Sequence, residues 1–245
     1  MIRYAAITDR GIREVNEDRV LISGTILDLS KKQGEVDDSI LAVICDGVGG
    51  EAFGEKAAQL AVQTILEHPQ ICSSDEAKDI TRQMNEAILV SQKKDVAHSN
   101  MACTLAAISI FDNKAIIFNV GDSKIYRFRT PYIAQLSVNH TYAKYALTLG
   151  LIANESELSE KNRHRITRYL GTETEWQPDI YEGEIRKRDI YLLCSDGLSD
   201  VVDDDIFEKI LAQSALPETK CSQLLALALK LGSQDNISII ILEVE

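Results

Sequence analysis

The sequence predicts an α+β fold in which two antiparallel β-sheets pack face to face with helices outside. Short apolar runs recur along the chain, bounded by Gly, Asp and Asn, as buried strands are. Their order is several strands, two long helices, then more strands, which lacks the regular βαβ alternation of a doubly wound sheet. Two of the runs are joined by Asp112-Asn113, a hairpin signal that favours antiparallel pairing.

Residues 2–8 and 19–27 alternate or run apolar and read as strands. The segment between them is polar and carries Gly11, Arg13, Glu17 and Asp18. Residues 30–38 are polar and read as a hairpin loop. Leu41-Ala42-Val43-Ile44-Cys45 is a run of apolar residues that closes in Asp46. Gly47, Gly49 and Gly50 follow, so the backbone there can turn sharply and approach a ligand closely. A helix is predicted over 51–67, with Ala57, Ala58, Leu60, Ala61 and Ile65 at helical spacing. A second is predicted over about 75–97, capped by Ser74 or Asp75, with Ile80, Met84, Ala87, Ile88 and Ser91 on one face.

Residues 103–111 and 114–120 form the predicted hairpin. Ile125, Tyr126 and Phe128 are expected to continue the same sheet, with 133–136 as its next strand. The stretch 138–178 is polar and charged with short helical pieces. Strands are predicted at 180–185 and 189–195, then one or two helices over 198–214. The Asp203-Asp204-Asp205 run there reads as a helix N-terminus, where negative charge is favoured. Residues 217–231 form an amphipathic helix with Pro217 in its first turn and Gly232 as C-cap. A final strand over 237–244 completes the sheet.

A chain of 245 residues suits one domain, 1–245, with ample core. The net charge of −12 disfavours nucleic acid and anionic membranes as partners. Cys45, Cys72, Cys103, Cys194 and Cys221 form no CxxC pair and are odd in number. They read as reduced, small core residues of a cytoplasmic protein; a cysteine nucleophile is the sharper alternative. The N-terminus has no apolar signal-peptide core, and no apolar run is long enough for a membrane span.

The acidic residues carry the functional signal. Asp46 and Asp196 each close an apolar run and precede glycine, Asp122 follows Gly121 at the end of another, Asp235 introduces the last strand, and Asp18 precedes a strand near the N-terminus. Any one of these can be a simple turn. Five in one context point to convergence. Several carboxylates in one cleft repel one another unless a cation neutralises them, and oxygen-only ligands suit Mg²⁺ or Mn²⁺ rather than Zn²⁺. Arg13, from charge alone, is equally a solvated loop arginine or an anion ligand.

The residues Arg13-Glu14-Val15-Asn16-Glu17-Asp18, Asp46-Gly47-Val48-Gly49-Gly50, Gly121-Asp122-Ser123-Lys124, Ile166-Thr167-Arg168-Tyr169-Leu170-Gly171, Leu193-Cys194-Ser195-Asp196-Gly197-Leu198-Ser199-Asp200 and Asp235-Asn236-Ile237-Ser238 occur in this order along the whole chain. This ordered set resembles the metal-dependent Ser/Thr protein phosphatases, type 2C or PPM, in their bacterial form. The resemblance implies a four-layer αββα sandwich with a metal site at one edge between the sheets, and a flap subdomain at about 138–178 that influences substrate choice. It implies hydrolysis of phosphoserine and phosphothreonine by a metal-activated water, with phosphorylated proteins, a Ser/Thr kinase or its targets among them, as partners of a monomer.

By the same resemblance Asp46 bridges two Mg²⁺ or Mn²⁺ ions and the Gly47 carbonyl completes one shell. Asp196 and Asp235 bind the first ion, so Asp46, Asp196 and Asp235 carry catalysis. Glu17 and Asp18 support the second ion, directly or through water. Asp122, with Asp196, would hold a third, as in many bacterial-type members. Arg13 matches the arginine that binds the substrate phosphate, a role suited to a planar bidentate fork. His140 reads as a loop histidine with a structural hydrogen bond rather than a base.

The chain departs from the family at Val48, where animal members carry a histidine proposed as general acid, at Ala102-Cys103, at Lys124 and at Asn139. None of these removes an expected ligand. The alternative function is a non-catalytic phosphoprotein-binding regulator that kept the fold; such a protein should have lost an aspartate of the cluster, and none is missing.

Overall fold

A computed structural model describes residues 1–48, 53–95 and 98–245. In chain order the first elements are β1 (Ile2–Asp9), β2 (Arg19–Ile22), β3 (Thr25–Leu27), β4 (Lys31–Val36), β5 (Ile40–Cys45), β6 (Gly47–Val48), α1 (Gly54–Leu66) and α2 (Ser74–Lys94). Then come β7 (Ala102–Cys103), β8 (Leu105–Phe111), β9 (Lys114–Val120), β10 (Lys124–Arg129), β11 (Tyr132–Gln135), α3 (Tyr142–Thr148) and α4 (Glu160–Arg163). The chain closes with β12 (Asp179–Glu184), β13 (Ile190–Cys194), α5 (Asp196–Ser199), α6 (Asp204–Leu211), α7 (Pro217–Leu231) and β14 (Ile237–Val244).

The strands form two six-stranded sheets, ordered β11-β10-β13-β14-β1-β4 and β12-β9-β8-β5-β2-β3, and a small ribbon β6-β7. Every pairing is antiparallel. Three buried clusters give the layering. Val20, Ile22, Ala42, Ile44, Ile240 and Leu242 meet between the sheets. Leu41, Val43 and Cys45 face the other way, onto Ala57, Ala61, Met84 and Ile88 of α1 and α2. Ile237, Ile239 and Ile241 face Leu198, Phe207 and Leu224 of α5, α6 and α7. The period-two alternation within β5 and β14 thus serves two cores at once, which is why both strands read as continuous apolar runs. The result is the αββα sandwich.

The sequence expectation for 19–27 is corrected: it is a hairpin, not one strand. Ser23 and Gly24 both have positive φ, 45° and 71°, the backbone of a tight two-residue turn. Residues 30–38 are not a loop; Lys31–Val36 pairs with β1 at the sheet edge. Its alternate residues are exposed, and charged side chains on an open edge guard against further strand pairing, so its polarity hid it. Ile125, Tyr126 and Phe128 do not continue the sheet of β9. They form β10 of the opposite sheet, paired with β13, and the short Gly121-Asp122-Ser123 link crosses from one sheet to the other.

The Asp112-Asn113 hairpin is present, with φ of 49° and 59°. Ser73, not Ser74 or Asp75, caps α2 by accepting a hydrogen bond from the Glu76 amide. Helix α1 is described from Gly54; the expected start at Glu51 lies outside the described residues, as do Gly49, Gly50 and the expected end of α2 at Ala97. The 198–214 region starts earlier, with a helical turn at Asp196; Asp203 stands at the N-cap position of α6 without a side-chain cap bond, and Asp204 and Asp205 lie in its first turn. Helix α7 and its Gly232 C-cap stand as expected. Four cysteines are buried and Cys72 is exposed; all five are free. Among the described residues no helix is long and apolar enough to cross a membrane.

Candidate active site

Strand register brings the acidic positions to one end of the sandwich. Asp9 pairs with Ile237, Arg19 with Cys45, Leu105 with Val120 and Lys124 with Cys194. In antiparallel sheets the C-terminus of one strand lies beside the N-terminus of the next. The residues just beyond those pairs, Asp18, Asp46, Asp122, Asp196 and Asp235, therefore meet at the same edge.

Each acid is held by its own local chemistry. Ser195 Oγ and Ser238 Oγ donate to Asp18 Oδ2, at 2.9 and 2.6 Å, and Ser238 Oγ lies 2.8 Å from Thr8 Oγ1. Thr104 grips Asp46 from both sides: its amide donates to the Asp46 carbonyl at 2.8 Å, and its Oγ1 accepts from the Asp46 amide at 3.1 Å. The same Oγ1 is 2.7 Å from Ser123 Oγ, tying the Asp46 strand to the Asp122 turn. Glu17 sits apart, its carboxylate packed close against Gly54 at the start of α1, an anion-favouring helix terminus.

Asn236 clamps the loop before β2. It accepts from the Glu17 amide at 2.8 Å and donates to the carbonyls of Arg10 and Val15 at 3.0 and 2.9 Å. The backbone of Asp235 and Asn236 runs between two glycines. A Cβ on Gly11 would lie 2.3 Å from the Asp235 carbonyl oxygen, and one on Gly197 would lie 2.0 Å from that of Asn236. Neither position has room for a side chain.

Burial, then mutual repulsion, dominates the electrostatics. Burial raises the Asp46 pKa well above the usual carboxylate range, and the charges of Asp18, Asp196, Asp122 and Asp235 add to it. Asp196 is raised in the same way, by burial and then Asp122 and Asp200. Burial pushes Asp18 up to about 6 against the two serine hydroxyls, and pushes Asp122 up to about 6 with help from Asp200. Glu17 and Asp200 are raised too, chiefly by burial.

Two oxygens, Asp122 Oδ1 and Asp196 Oδ1, are buried with no hydrogen-bond partner among the described residues, a costly condition that calls for a ligand. Among the described residues no three His, Cys, Asp or Glu side chains are already arranged to hold one metal ion. The fit to a cation therefore rests on charge and on these orphaned oxygens, and it is a fit: a cation answers both the repulsion and the missing partners. The donors are oxygens only, which suits hard divalent ions.

Arg13 stands half-exposed at the rim. Its Nη2 donates to Asp235 Oδ2 at 2.8 Å and its Nε to the Gln234 carbonyl at 2.9 Å. Beside it a cavity of about 740 Å³ is lined by Lys161, Arg163, His164, Asp196, Asp200 and Asp235. His140 is buried. Its Nδ1 accepts from the Gly121 amide at 3.0 Å and its Nε2 faces Asp179 Oδ2 at 2.6 Å. It braces the Gly121-Asp122 turn, as expected of a structural histidine.

Sequence reading missed Asn236 as a clamp, Thr104, Ser195 and Ser238 as supports, and the His164–Asp200 pair at 3.1 Å. Ser195 and Ser238 did carry a signal: a lone hydroxyl beside or within an aliphatic strand needs a buried partner. His164 carried none, since only the fold brings residues 161–164 over Asp196.

The sequence and the fold have known relatives. Residues 27–231 match the family described as Protein phosphatase 2C. Over its whole length the chain is 33% identical to the serine/threonine protein phosphatase PstP of Mycobacterium tuberculosis, and it spans 45% of that relative's length. It is 27% identical to the serine/threonine phosphatase Stp of Listeria monocytogenes, covering 96% of this chain and 93% of that one. Among solved structures, M. tuberculosis PstP superposes with a TM-score of 0.85 at 30% identity, covering 100% and 99% of the two chains. The PstP catalytic domain in complex with two manganese ions superposes at 0.81, with 29% identity and coverage of 100% and 99%. Stp1 of Staphylococcus aureus does so at 0.87, with 26% identity and coverage of 100% and 96%. The chain belongs to the Protein phosphatase 2C family.

Proposed function

We propose that this chain is a divalent-metal-dependent protein phosphatase that hydrolyses phosphoserine and phosphothreonine. The observation that carries the reading is the cluster of Asp18 and Asp122, which are buried, with Asp46 and Asp196, which are half-buried; two of its oxygens, on Asp122 and Asp196, lack a partner among the described residues. The relatives' names support it, as does the manganese pair bound by one of them.

In this reading Asp46 would serve two Mg²⁺ or Mn²⁺ ions, with Asp196 and Asp235 holding the first and Glu17 and Asp18, directly or through water, supporting the second; the Gly47 carbonyl would complete one of the two shells. Asp122 and Asp196 take a third. Bound cations supply Lewis acidity and lower the pKa of a water, so no serine or cysteine nucleophile is needed. The protein's part is positioning. Ser195 and Ser238 aim Asp18, Thr104 fixes Asp46 relative to Asp122, and Asn236 locks the Arg13 loop against β14. Arg13 binds the substrate phosphate through guanidinium N–H groups left over from its contact with Asp235.

Residues 1–245 act as one phosphatase domain, with 138–178 as a flap that biases substrate choice. Its Lys161, Arg163 and His164 line the cavity over Asp196, which supports that role. The substrates are phosphorylated proteins, among them a Ser/Thr kinase or its targets, met in the cytoplasm by a monomer. The alternative, a non-catalytic phosphoprotein-binding regulator, is disfavoured because every acid of the cluster is present. The test is hydrolysis of an aryl phosphate with added Mn²⁺. Activity abolished by EDTA and restored by Mn²⁺ is expected; full activity in EDTA would defeat the proposal.

A further inference from the structure

The Val48 position, where animal members of the family carry a histidine, offers no proton. Val48 lies in the β6-β7 ribbon, paired with Ala102, and is not among the residues lining the cavity over Asp196. A departing serine or threonine alkoxide is a poor leaving group, and its rate depends on protonation as the P–O bond breaks. That cavity contains one imidazole, His164.

The surroundings of His164 are suited to proton donation. Its Nδ1 lies 3.1 Å from Asp200 Oδ2, which orients the ring and fixes which nitrogen is engaged. Nε2 has no hydrogen-bond partner among the described residues, and the side chain is 42% exposed, so substrate can reach it. Asp200 is itself anchored beside the acids, since its amide bonds to the Asp196 carbonyl at 2.9 Å. The other charged groups facing this space are Lys161, Arg163, Asp196 and Asp235 on the cavity wall, with Asp122 and Lys124 near Asp200.

Resting on the phosphatase reading above, we propose that His164 is the general acid: it protonates the departing serine or threonine oxygen, with Asp200 as its positioning residue. The incoming water oxygen bonds to phosphorus and gives up one proton to solvent. The P–O bond to the substrate side chain breaks and its electron pair stays on the leaving oxygen. That oxygen takes the proton from Nε2, whose N–H electron pair remains on the ring, and solvent returns a proton to His164.

The experiment compares wild type with His164→Gln, which keeps a polar side chain for Asp200 but cannot act as an acid. Both are loaded with Mn²⁺ and given a phosphoserine peptide and p-nitrophenyl phosphate, whose phenolate leaves without protonation. On the peptide kcat is expected to fall about 100-fold or more, the usual scale of general acid catalysis, with KM little changed. On p-nitrophenyl phosphate kcat should hold, which also shows that the variant is folded and loaded. A second readout uses no turnover. In the Mg²⁺-loaded protein the His164 Cε1 proton, assigned among four histidines by its loss in the variant, should shift when inorganic phosphate is added. Equal losses on both substrates, no loss on the peptide, or an unmoved His164 signal would overturn the assignment. An inactive wild type would instead overturn the phosphatase reading, and the assignment with it.

Discussion

Arg13 Nη2 donates to Asp235 Oδ2 across 2.8 Å, joining the loop before β2 to the start of β14 at the rim of the acid cluster. The arginine therefore has two duties, a proposed contact with phosphate and an existing contact with a proposed metal ligand. They can be separated. Arg13→Ala should raise KM for phosphate esters by about 10- to 150-fold, the worth of one charged hydrogen bond of roughly 1.5–3 kcal/mol. Mn²⁺ affinity measured by calorimetry should hold or rise, because Asp235 loses a competing cation. Collapse of metal affinity with KM unchanged would make Arg13 purely structural.

Asp46→Asn should abolish turnover and raise the melting temperature of the metal-free protein. The second effect depends on pH. Asp18 and Asp122 titrate at about 6 in the fold, against roughly 4 in an unfolded chain. Above the folded value the native state holds these charges at a cost; below it the native state keeps protons that the unfolded chain has released, and that cost fades. His140 works the opposite way. Burial lowers its pKa, so its contribution is lost as pH falls through the unfolded value. Comparing the two proteins cancels the histidine. In EDTA the variant should melt higher near pH 8, with the gap closing toward about pH 5. A gap independent of pH would show that the acids do not repel one another.

Asp122→Asn removes a charge beside Asp196 and Asp200 and keeps the shape of the Gly121-Asp122-Ser123 turn. It should leave two Mn²⁺ ions per chain in place of three by metal analysis, and lower kcat on a phosphopeptide. If Asp122 merely stabilises the turn, the variant would melt lower and keep its kcat per folded molecule. The unpartnered Asp122 Oδ1 favours the first outcome.

Alkylation by iodoacetamide under native conditions should modify Cys72 alone and leave activity intact. Cys45, Cys103, Cys194 and Cys221 are buried, and burial pushes the Cys194 thiol up to about 12, so little thiolate is available for reaction. Inactivation with the fold intact by circular dichroism would bring a cysteine into the chemistry.

The sequence by itself determined the strands that are buried on both faces. In β5 and over residues 239–242 of β14 both faces are buried and every position is apolar, so Leu41-Ala42-Val43-Ile44-Cys45 and the run after Ser238 could be read without ambiguity. It also determined helix α7, whose Pro217 and Gly232 mark its ends through backbone geometry alone, and the acids that end the strands. Edge strand β4 was illegible because one face of an edge is solvated, and its Lys and Glu residues look like loop. The sheet membership of β10 was illegible for another reason. A three-residue turn can return a strand to its own sheet or carry it to the facing one, and only packing against β13 selects the second. The same limit held at the site. Asp46 and Asp196 announced themselves locally, whereas Asn236 meeting Glu17, Ser238 meeting Asp18 and His164 meeting Asp200 are pairings between residues far apart in the chain. Tertiary structure alone decides them, because a side chain's hydrogen-bond partner is set by strand register and layer packing rather than by its neighbours in sequence.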